Sequence, residues 1–573
     1  MCHRRKQDYS GNSYLGLHLG TQLLRALILD SNLKVAYVAQ IRYDVDLPEF
    51  KTINGILPDG EPGEYLANPV MWVKALDMLM DCLVKQGADL HSVASVAGAA
   101  QQHGCVFWSD LGLRRLCNLN AHLQLHEQLN ESAFELTRTP TWRDSSTDKQ
   151  VHEMEHAVGG PAELSCITGS RAYARFTGPQ IRKIHSQCPQ HYERTSRISL
   201  ISSFLASLLI GGMASIDFTD GSGMNLMDIR RKKWSPECLN ACAPDLARRL
   251  MKPIPSNRLQ GRIADYYVRR WNFRPDCMVV ASAGSKASEL AGLLVEKDFL
   301  MLSLDTSDVV VMPLKRAPRL EDGHVMCHPT RTDEYMGVLC FHNGALTRKA
   351  VCEEVANGSW MRFYEMLGDT PPGNNGNVAV HFRDREIIPI AQGTLRWAAG
   401  IDFMSAECLR GLPAFDTPEI EVRAVIEGQI MHHYAIAREM GFHKSKYTKV
   451  IVVGEDSRSQ QVQQIVADIF DAPVYQRSGV EVSLLGCAFR ARYAFYEHRE
   501  SNCNCRSCKM PKGRQKRLSY EEFFRNIPSG LHLAAEPTPG SEKIYTPLIA
   551  RCTQICRLLA AKSNVYFYQD EEE

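Results

Sequence analysis

A short motif that predicts two strands joined by a tight turn occurs twice in this chain. The first copy spans residues 14–30 and turns at Gly20-Thr21, and the second spans residues 299–312 and turns at Asp305-Thr306. In both copies bulky and β-branched apolar residues flank the turn, a pattern typical of β-hairpins. The copies lie about 285 residues apart, which indicates an internal duplication. We therefore expect an α/β protein with two lobes, each opened by its own hairpin, and a cleft between them.

The length of 573 residues also requires more than one hydrophobic core, because cores stop growing at about 250–300 residues. The formal net charge of +1 gives no general attraction to nucleic acid or to an anionic membrane. No apolar run approaches the roughly 20 residues that span a bilayer, and the polar residues 1–12 do not resemble a secretory signal. The sequence therefore predicts a cytoplasmic protein with no nucleic-acid or membrane partner.

Composition changes and turn signals divide the chain into four parts. We expect a polar tail over 1–12, a first lobe over 13–265, a second lobe over 266–495, and a basic, cysteine-containing insert with a C-terminal segment over 496–573. Beyond Pro528 the chain is expected to be irregular before it closes with a helix.

Within the first lobe, a helix is predicted from Val70 to Gln86, with Asn68 as its cap and Pro69 in its first turn. A strand over residues 92–97 runs into the polar segment 101–104. Polar residues at the carboxyl end of a strand commonly line a ligand cleft in open α/β sheets.

Most of the nineteen cysteines are scattered singly through apolar segments, which predicts free thiols. The exception is a cluster of Cys503, Cys505 and Cys508 among basic residues. Three thiols within six residues could bind zinc, but no fourth ligand is near in sequence. A redox-sensitive exposed loop is the alternative.

Nine short segments occur in a fixed order along the chain. They are LHLGTQ (17–22), QQHG (101–104), WRDSST (142–147), GSRAYARFTG (169–178), DGSGMN (220–225), SLDTSD (303–308), CFHNG (340–344), NNGN (374–377) and DAPVY (471–475). Together they resemble the animal xylulose kinases of the FGGY carbohydrate kinase family over about residues 12–490. The resemblance implies a two-lobed, actin-like ATPase fold of the ribonuclease-H-like type, with the active site in the cleft between the lobes.

The resemblance further implies transfer of the γ-phosphoryl group of Mg-ATP to D-xylulose, a ketopentose. On the sugar side, His103, Arg175 and Asp144 match residues that contact or adjoin the sugar. Such charged and bidentate groups suit the recognition of polyols. The alternative for His103 and Asp144 is that they only satisfy buried polar backbone groups.

On the nucleotide side, the resemblance assigns the phosphates to the two hairpins and the nucleoside to residues further along the chain. The matching positions are Gly20, Thr21, Asp305, Thr306, Trp360, Gly454, Glu455, Asp456 and Ser459. Backbone N–H groups of such hairpins cradle phosphates.

Several of these positions depart from the family pattern. His18 stands where the family has an aspartate that helps to hold the metal, although Mg²⁺ prefers hard oxygen ligands. Asp305 stands where the second hairpin has a glycine. A carboxylate about 4 Å from a phosphate charge would cost on the order of 4 kcal/mol at an effective dielectric near 20. That cost disappears only if the side chain turns away or a cation fills the gap.

Ser285 and Lys286 align with the family's Asp-Asn pair, in which the aspartate is the general base and the asparagine contacts the sugar. A hydroxyl is too weak a base to replace the carboxylate, and losing a general base costs about 10²–10⁴ in rate. Lys286 could pair with Asp305 or with a phosphate. Glu455 and Asp456 replace small residues against which the nucleotide would lie, which predicts crowding and repulsion there.

Two hypotheses follow from this pattern. The chain is either a xylulose kinase that works with unusual residues, or a non-catalytic relative that binds a sugar or a protein partner, such as an active paralogue, and acts by regulation or assembly. The second hypothesis fits an altered ATP side beside a retained sugar side.

Overall fold

The structure is a computed structural model of the chain. It describes residues 11–295, 298–320, 322–401, 408, 410–454, 456–501 and 518–569, with side chains described as far as Ser563. Cys503, Cys505 and Cys508, as well as Glu455, lie outside the described residues, so their predicted roles stay predictions.

The strands of the first half are short except for four strands of seven or eight residues in its main sheet. They are β1 (Ser13–Leu19), β2 (Leu23–Leu29), β3 (Val35–Arg42), β4 (Leu66–Ala67), β5 (Val93–Ala100), β6 (Cys105–Trp108), β7 (Thr139–Pro140), β8 (Arg197–Leu200), β9 (Ile216–Asp217), β10 (Met227–Asp228), β11 (Lys233–Trp234), β12 (Pro253–Ile254), β13 (Leu259–Arg262), β14 (Met278–Val280) and β15 (Ala283–Gly284).

The helices of the first half are interspersed among these strands. They are α1 (Tyr43–Asp46), α2 (Pro69–Lys85), α3 (Asp110–Leu116), α4 (Leu125–Gln128), α5 (Asp148–Ala157), α6 (Pro161–Thr168), α7 (Thr177–Gln187), α8 (Pro189–Arg194), α9 (Ile201–Ile210), α10 (Phe218–Gly221), α11 (Pro236–Cys242), α12 (Leu246–Arg249), α13 (Asp265–Trp271) and α14 (Ser285–Gly292). The predicted helix after Asn68 is confirmed as α2, and the Asn68 side chain accepts a hydrogen bond from Val70 N at 2.9 Å.

The main sheet of the first half has the order β13-β14-β5-β1-β2-β3, with β15 also paired to β5. Strands β1 and β2 form the predicted hairpin around Gly20, and β1 pairs in parallel with β5. Every residue of β5 is buried, as expected for a parallel strand covered on both faces. The predicted strand over residues 92–97 is therefore confirmed as the start of β5.

The second half repeats this plan with longer strands. They are β16 (Phe299–Ser303), β17 (Asp308–Leu314), β18 (His324–Cys327), β19 (Tyr335–Phe341), β20 (Val378–Glu386), β21 (Ala391–Trp397), β22 (Lys449–Val453), β23 (Val474–Arg477) and β24 (Leu531–Ala535). The described helices are α15 (Ala345–Ala356), α16 (Trp360–Asp369), α17 (Pro418–Glu439), α18 (Gln460–Phe470), α19 (Val482–Ser501), α20 (Tyr520–Phe524) and α21 (Ser541–Gln569).

The second main sheet has the order β18-β19-β17-β16-β22-β23-β24. Strands β16 and β17 form an antiparallel hairpin, and β16 pairs in parallel with β22. This arrangement reproduces that of β2, β1 and β5 in the first sheet, so the internal duplication predicted from the two hairpins is confirmed. The two-lobed α/β architecture is confirmed with it.

Helices α14 and α19 cross at very short range. A Cβ atom on Gly486 of α19 would lie 1.8 Å from the carbonyl oxygen of Ser288 in α14, so only glycine fits at this crossing. The same stretch of α19 packs on the first sheet, where Cys487 is buried with Tyr14 and Ala97. The crossing fixes the first residue of α14, Ser285, relative to the segment that leads into α19.

The first sheet continues beyond residue 265, at which the sequence placed the lobe boundary. Strands β14 and β15 both pair with β5, which places residues 278–284 in the first lobe. We propose that the two lobes divide between α14 and β16. Helix α19 then returns from the second lobe to cover the first sheet.

The C-terminal segment belongs to the second lobe. Where the sequence predicts irregular chain beyond Pro528, β24 pairs antiparallel with β23 and completes the edge of the second sheet. The segment forms a strand because its backbone pairs with β23, and this pairing cannot be inferred from the amino-acid composition of the segment. Helix α21 contributes Tyr545, Cys552 and Ile555 to the core of this lobe.

All cysteines among the described residues are free thiols, and most are buried, as their scattered positions predict. Among the described residues, no helix combines the length and the apolar character that crossing a membrane requires.

Candidate active site

Ser285 and His18 come from two elements that end at the same edge of the first sheet. His18 lies near the end of β1, and Ser285 directly follows β15; both strands run parallel to β5. Nε2 of His18 lies 2.8 Å from Oγ of Ser285, and the carbonyl oxygen of Ala100 lies 2.9 Å from the same Oγ. The residues at the family's metal-binding and base positions therefore form a hydrogen bond with each other.

The second ring nitrogen of His18 faces a carboxylate. Nδ1 lies 2.5 Å from Oε1 of Glu481 and 3.2 Å from Oγ of Ser483. Arg25 forms an ion pair with the other carboxylate oxygen of Glu481. We call the chain of hydrogen bonds from Glu481 through His18 to Ser285 the Glu481–His18–Ser285 triad.

The carboxylate of this triad is ionised. Burial alone would raise the pKa of Glu481, but its contact with His18, the hydroxyl of Ser483 and the charge of Arg25 together hold that pKa well below its ordinary value. Glu481 therefore presents a negative charge to the His18 ring at neutral pH.

Lys286 lies in a second polar cluster, between the two lobes. Its Nζ atom lies 3.0 Å from Glu289 Oε2 and 3.1 Å from Oγ of Ser303, and Ser303 Oγ lies 2.8 Å from Oδ2 of Asp305. Burial alone would lower the pKa of Lys286, but the carboxylates of Glu289 and Asp305 raise it above the ordinary value for lysine. Lys286 is therefore an ammonium that reaches Asp305 through Ser303.

The cluster around Lys286 changes the repulsion expected between the Asp305 carboxylate and a bound phosphate. That repulsion is offset if the side chain turns away or if a cation lies nearby. The chain supplies the cation itself, since Lys286 is bonded to the serine that holds Asp305. The ammonium is already paired with Glu289, so it is not a free donor for a phosphate.

Asp456 is also paired. Nε of Arg348 lies 2.7 Å from Oδ2 of Asp456, while its two Nη atoms bind both carboxylate oxygens of Asp308 at 2.7 and 3.0 Å. Burial raises the pKa of Asp308 to about 6 despite the charge of Arg348. The repulsion that the sequence predicts at Asp456 is therefore offset by a buried guanidinium.

The loop after β22 packs directly on the second hairpin. Gly454 has a φ of +98°, and a Cβ atom there would lie 2.4 Å from the carbonyl oxygen of Leu304 and 2.8 Å from Oδ1 of Asp305. Only glycine adopts this backbone conformation without strain. The structure thus brings together two of the predicted nucleotide positions, Gly454 and Asp305.

The remaining predicted nucleotide positions have ordinary local contacts. Ser459 caps α18 by accepting a hydrogen bond from Val462 N at 3.4 Å. Trp360 begins α16, and its ring is stacked 5.9 Å from that of Tyr364, whose pKa is raised to about 12 by burial and by the charge of Asp456. Thr306 is exposed at the tip of its hairpin.

The tip of the first hairpin is held by the first lobe. Gly20 N donates to the carbonyl oxygen of Leu23 at 3.0 Å, which closes the turn. The Thr21 hydroxyl accepts a hydrogen bond from the indole N–H of Trp142 at 2.8 Å. The segment that carries Asp144 therefore lies against this hairpin.

On the sugar side, His103 and Arg175 share a buried cluster with His324. Nδ1 of His103 lies 2.9 Å from the carbonyl oxygen of Gly223 and donates to it, which leaves Nε2 as an acceptor. Burial and the charge of Arg175 lower the pKa of His103 to about 3 and that of His324 well below its ordinary value. Arg175 Nη2 donates to Nε2 of His324 at 2.7 Å. Both imidazoles are therefore neutral beside a permanent guanidinium.

Asp144 is 1% exposed and its carboxylate is fully engaged within the protein. Oδ1 accepts from Gln180 Nε2 at 2.7 Å and from the Ser146 hydroxyl at 2.6 Å, and Oδ2 accepts from Tyr65 N at 3.2 Å. These contacts match the alternative in which Asp144 satisfies buried polar groups.

The donor groups near the hairpins do not fit Mg²⁺. Both ring nitrogens of His18 are hydrogen-bonded, and the carboxylates of Asp308 and Asp456 are bound to Arg348. Within the part of the chain that the structure describes, no three His, Cys, Asp or Glu side chains are grouped to hold a metal ion. Mg²⁺ requires several oxygen ligands in an octahedral arrangement.

Two α/β lobes built on the same hairpin plan are the architecture of the actin-like carbohydrate kinases. The chain belongs to the FGGY family of carbohydrate kinases: residues 128–292 match the family's N-terminal domain, and residues 300–495 match its C-terminal domain.

Named relatives cover nearly the whole chain. It is 37% identical to the xylulose kinase of Rattus norvegicus over 550 residues, which is 96% of this chain and 97% of the rat protein. It is 39% identical to xylulose kinase 2 of Arabidopsis thaliana over 490 residues, 84% of this chain and 87% of the plant protein. The resemblance inferred from the nine segments is confirmed.

Solved structures share the fold at low identity. The gluconate kinase of Lactobacillus acidophilus superposes with a TM-score of 0.77 at 16% identity, covering 97% of this chain and 99% of that one. A ligand-bound xylulose kinase from the same organism gives a TM-score of 0.76 at 16% identity and covers 97% and 100%. The predicted fold class is thereby confirmed.

Sequence reasoning did not identify four residues of these clusters. Glu481 and Arg348 meet their partners only through tertiary contacts, and His324 reaches Arg175 from 149 residues away. Glu289 carried a readable signal, because it lies three residues after Lys286 in a helix, a spacing that pairs opposite charges.

Proposed function

We propose that this chain is a xylulose-kinase relative that binds a ketopentose in its cleft and transfers a phosphoryl group slowly or not at all. It would act in the cytoplasm through a protein partner, such as an active kinase of the same family. The observation that carries the proposal is the 2.8 Å hydrogen bond between Ser285 Oγ and His18 Nε2, at two positions where the family has carboxylates.

Phosphoryl transfer requires alignment, charge neutralisation and a base for the attacking hydroxyl. The hydroxyl of Ser285 is not basic enough to take that proton, and loss of a general base lowers rates by about 10²–10⁴. The groups near the hairpins also lack an oxygen set that suits Mg²⁺. Both effects act on the transfer step and leave the sugar side untouched.

Sugar binding is supported by Arg175 and His103. A guanidinium beside the free Nε2 acceptor of His103 offers both donors and an acceptor, which suits the hydroxyls of a polyol. Neither imidazole is protonated at neutral pH, so the only permanent charge in this cluster is that of Arg175.

Calorimetry with the purified chain tests the proposal. We expect heat of binding with D-xylulose, loss of that heat in Arg175→Ala, and an unchanged heat in Lys349→Ala, which removes an exposed positive charge on α15. Formation of ADP from Mg-ATP and D-xylulose should stay at the background rate. Turnover that Ser285→Ala abolishes, or no binding of any ketopentose, would contradict the proposal.

A second candidate is a working D-xylulose kinase. It is favoured by the pairing of Asp456 with Arg348 and of Lys286 with the Asp305 cluster, because these contacts remove much of the repulsion that a bound nucleotide would meet. Titration with ATP, with and without Mg²⁺, separates the two candidates. Tight Mg-ATP binding together with turnover supports the second candidate.

A further inference from the structure

The Glu481–His18–Ser285 triad has the connectivity of an activated serine nucleophile. A carboxylate contacts Nδ1 of an imidazole, and Nε2 of the same ring contacts a serine hydroxyl. The 2.8 Å separation of Nε2 and the serine oxygen lies within the hydrogen-bond range that a nucleophile and its base require, and the 2.5 Å contact at Nδ1 places the carboxylate where it can orient the ring. Nothing in the kinase reaction uses this arrangement.

Each member of the triad is held by a rigid element. His18 lies in β1, Ser285 begins α14, and Glu481 immediately precedes α19, which crosses α14 at Gly486. Arg25 binds the second oxygen of Glu481, which fixes the carboxylate. The side chain of His18 is 13% exposed and Ser285 is half-buried, so the nucleophile is partly accessible to solvent.

The carbonyl oxygen of Ala100 is a second hydrogen-bond acceptor for the Ser285 hydroxyl. It lies 2.9 Å from Oγ of Ser285 and accepts a hydrogen bond from the hydroxyl when His18 is protonated. With a neutral His18, the hydroxyl donates to Nε2 instead, while Nδ1–H donates to Glu481. Both protonation states of the ring are therefore satisfied by neighbours that are in place.

The start of α14 supplies donors for an anionic intermediate. Ser285 is the first residue of this helix, and no side chain caps its N-terminus. The first-turn N–H groups of a helix have no partner within the helix and favour negative charge. They lie beside the Ser285 hydroxyl, where the oxygen of a tetrahedral acyl intermediate would form.

We propose that Ser285 is a nucleophile that attacks short acyl esters, with His18 as its base and Glu481 as the group that orients His18. Esters of polyols are the preferred substrates in this proposal. That preference rests on the proposed sugar site, which lies close to Ser285: Gly284 packs on Gln102, and Gln102 is the neighbour of His103 in the chain. The nucleophile itself does not depend on that site.

The reaction is a hydrolysis in two steps. Ser285 Oγ bonds to the acyl carbon as its proton moves to His18 Nε2, and the bond from that carbon to the alkoxy oxygen breaks. The leaving oxygen takes the proton from His18 and departs as an alcohol. In the second step a water molecule gives a proton to His18 Nε2 as its oxygen bonds to the acyl carbon. The bond from the acyl carbon to Ser285 Oγ then breaks, and Oγ takes the proton back from His18. The products are a carboxylic acid and an alcohol.

A fluorophosphonate probe, followed by mass spectrometry of the whole folded chain, tests the nucleophile without any sugar. We expect a covalent adduct on Ser285 that is absent in Ser285→Ala and formed at least about tenfold more slowly in His18→Gln or Glu481→Gln. Ser519→Ala serves as the matched control, because Ser519 also stands at a helix N-terminus, is exposed, and contacts a carboxylate but no histidine. This control variant should label as the unaltered chain does.

Three results would overturn the proposal: no adduct on the folded chain, an adduct on other serines only, or an adduct on Ser285 that forms equally fast without His18. If His18→Gln does not fold, as judged by circular dichroism, Glu481→Gln decides the question. Hydrolysis of p-nitrophenyl acetate, lowered at least about 100-fold in Ser285→Ala, then measures turnover. Pentose binding by calorimetry is a separate readout, so failure of the proposed sugar site and failure of the nucleophile are distinguishable.

Discussion

Oγ of Ser285 lies 2.8 Å from Nε2 of His18, although the two residues are 267 positions apart in the chain. The pair joins the end of β1, beside the turn of the first hairpin, to the start of α14. His18 and Ser285 are two separate departures from the family pattern in the sequence, but in the structure they form one connected site.

Restoring the family aspartate at one position should not restore kinase activity. Ser285→Asp would place a carboxylate next to His18, while His18, Asp305 and Glu455 would still oppose the binding of metal and nucleotide. We expect ADP formation with D-xylulose to stay at background in this variant, as measured by a coupled assay. The combined variant with His18→Asp, Ser285→Asp, Lys286→Asn, Asp305→Gly and Glu455→Gly should show turnover. Full activity from Ser285→Asp alone would contradict the inhibitory role assigned to the other positions.

The ion pair between Lys286 and Glu289 should be important for stability. Lys286→Met leaves a carboxylate that is only 15% exposed without its partner, and breaking such a pair costs about 2–4 kcal/mol in the free energy of unfolding. Chemical denaturation measures this loss. Adding Glu289→Leu should recover most of it, and Lys349→Met, at an exposed ion pair on α15, should change the free energy of unfolding by less than about 0.5 kcal/mol.

Pentose binding should not depend on pH between about 5 and 8. The pKa of His103 is lowered to about 3, and that of His324 also lies well below its ordinary value, so neither ring gains a proton in this window. Calorimetric titrations with D-xylulose at several pH values check this. An affinity that changes tenfold near pH 6.5 would show that one of the rings titrates at an ordinary pKa.

The lowered pKa of His103 also makes the free energy of unfolding depend on pH. His103 is harder to protonate in the folded chain than in the unfolded chain, so the unfolded state binds more protons below about pH 6.5. The free energy of unfolding should therefore fall as the pH is lowered from about 6.5 toward 3. His103→Gln should reduce this slope, and an unchanged slope would contradict the assignment of a neutral, buried His103.

Gly486→Ala should destabilise the chain and disturb the triad. The added methyl group would lie 1.8 Å from the carbonyl oxygen of Ser288, so helices α14 and α19 would have to separate. We expect a loss of at least about 2 kcal/mol in the free energy of unfolding, with slower labelling of Ser285. Gly368→Ala is the matched control, because Gly368 lies in a helix with nothing near its Cβ position, and it should stabilise the chain by about 0.5–1 kcal/mol.

The sequence predicted what is encoded locally or by repetition. The hairpins at Gly20 and Asp305, helix α2 and its Asn68 cap, the buried strand β5 and the family itself could all be inferred, because each depends on periodicity, turn residues or the order of short motifs. The edge strand β24 could not, since its pairing with β23 depends on the position of the second sheet and not on its own residues.

The sequence by itself therefore determined the two-lobed α/β fold, the family, and the positions at which this chain departs from the family pattern. Only the tertiary structure decided what those departures form. It paired Asp456 with Arg348, linked Lys286 to Asp305 through Ser303, and placed Glu481 behind His18 and Ser285. Apart from the contact between Ser303 and Asp305, these contacts join residues that are 17 to 463 positions apart, and only the packing of the folded chain brings their side chains within hydrogen-bonding distance.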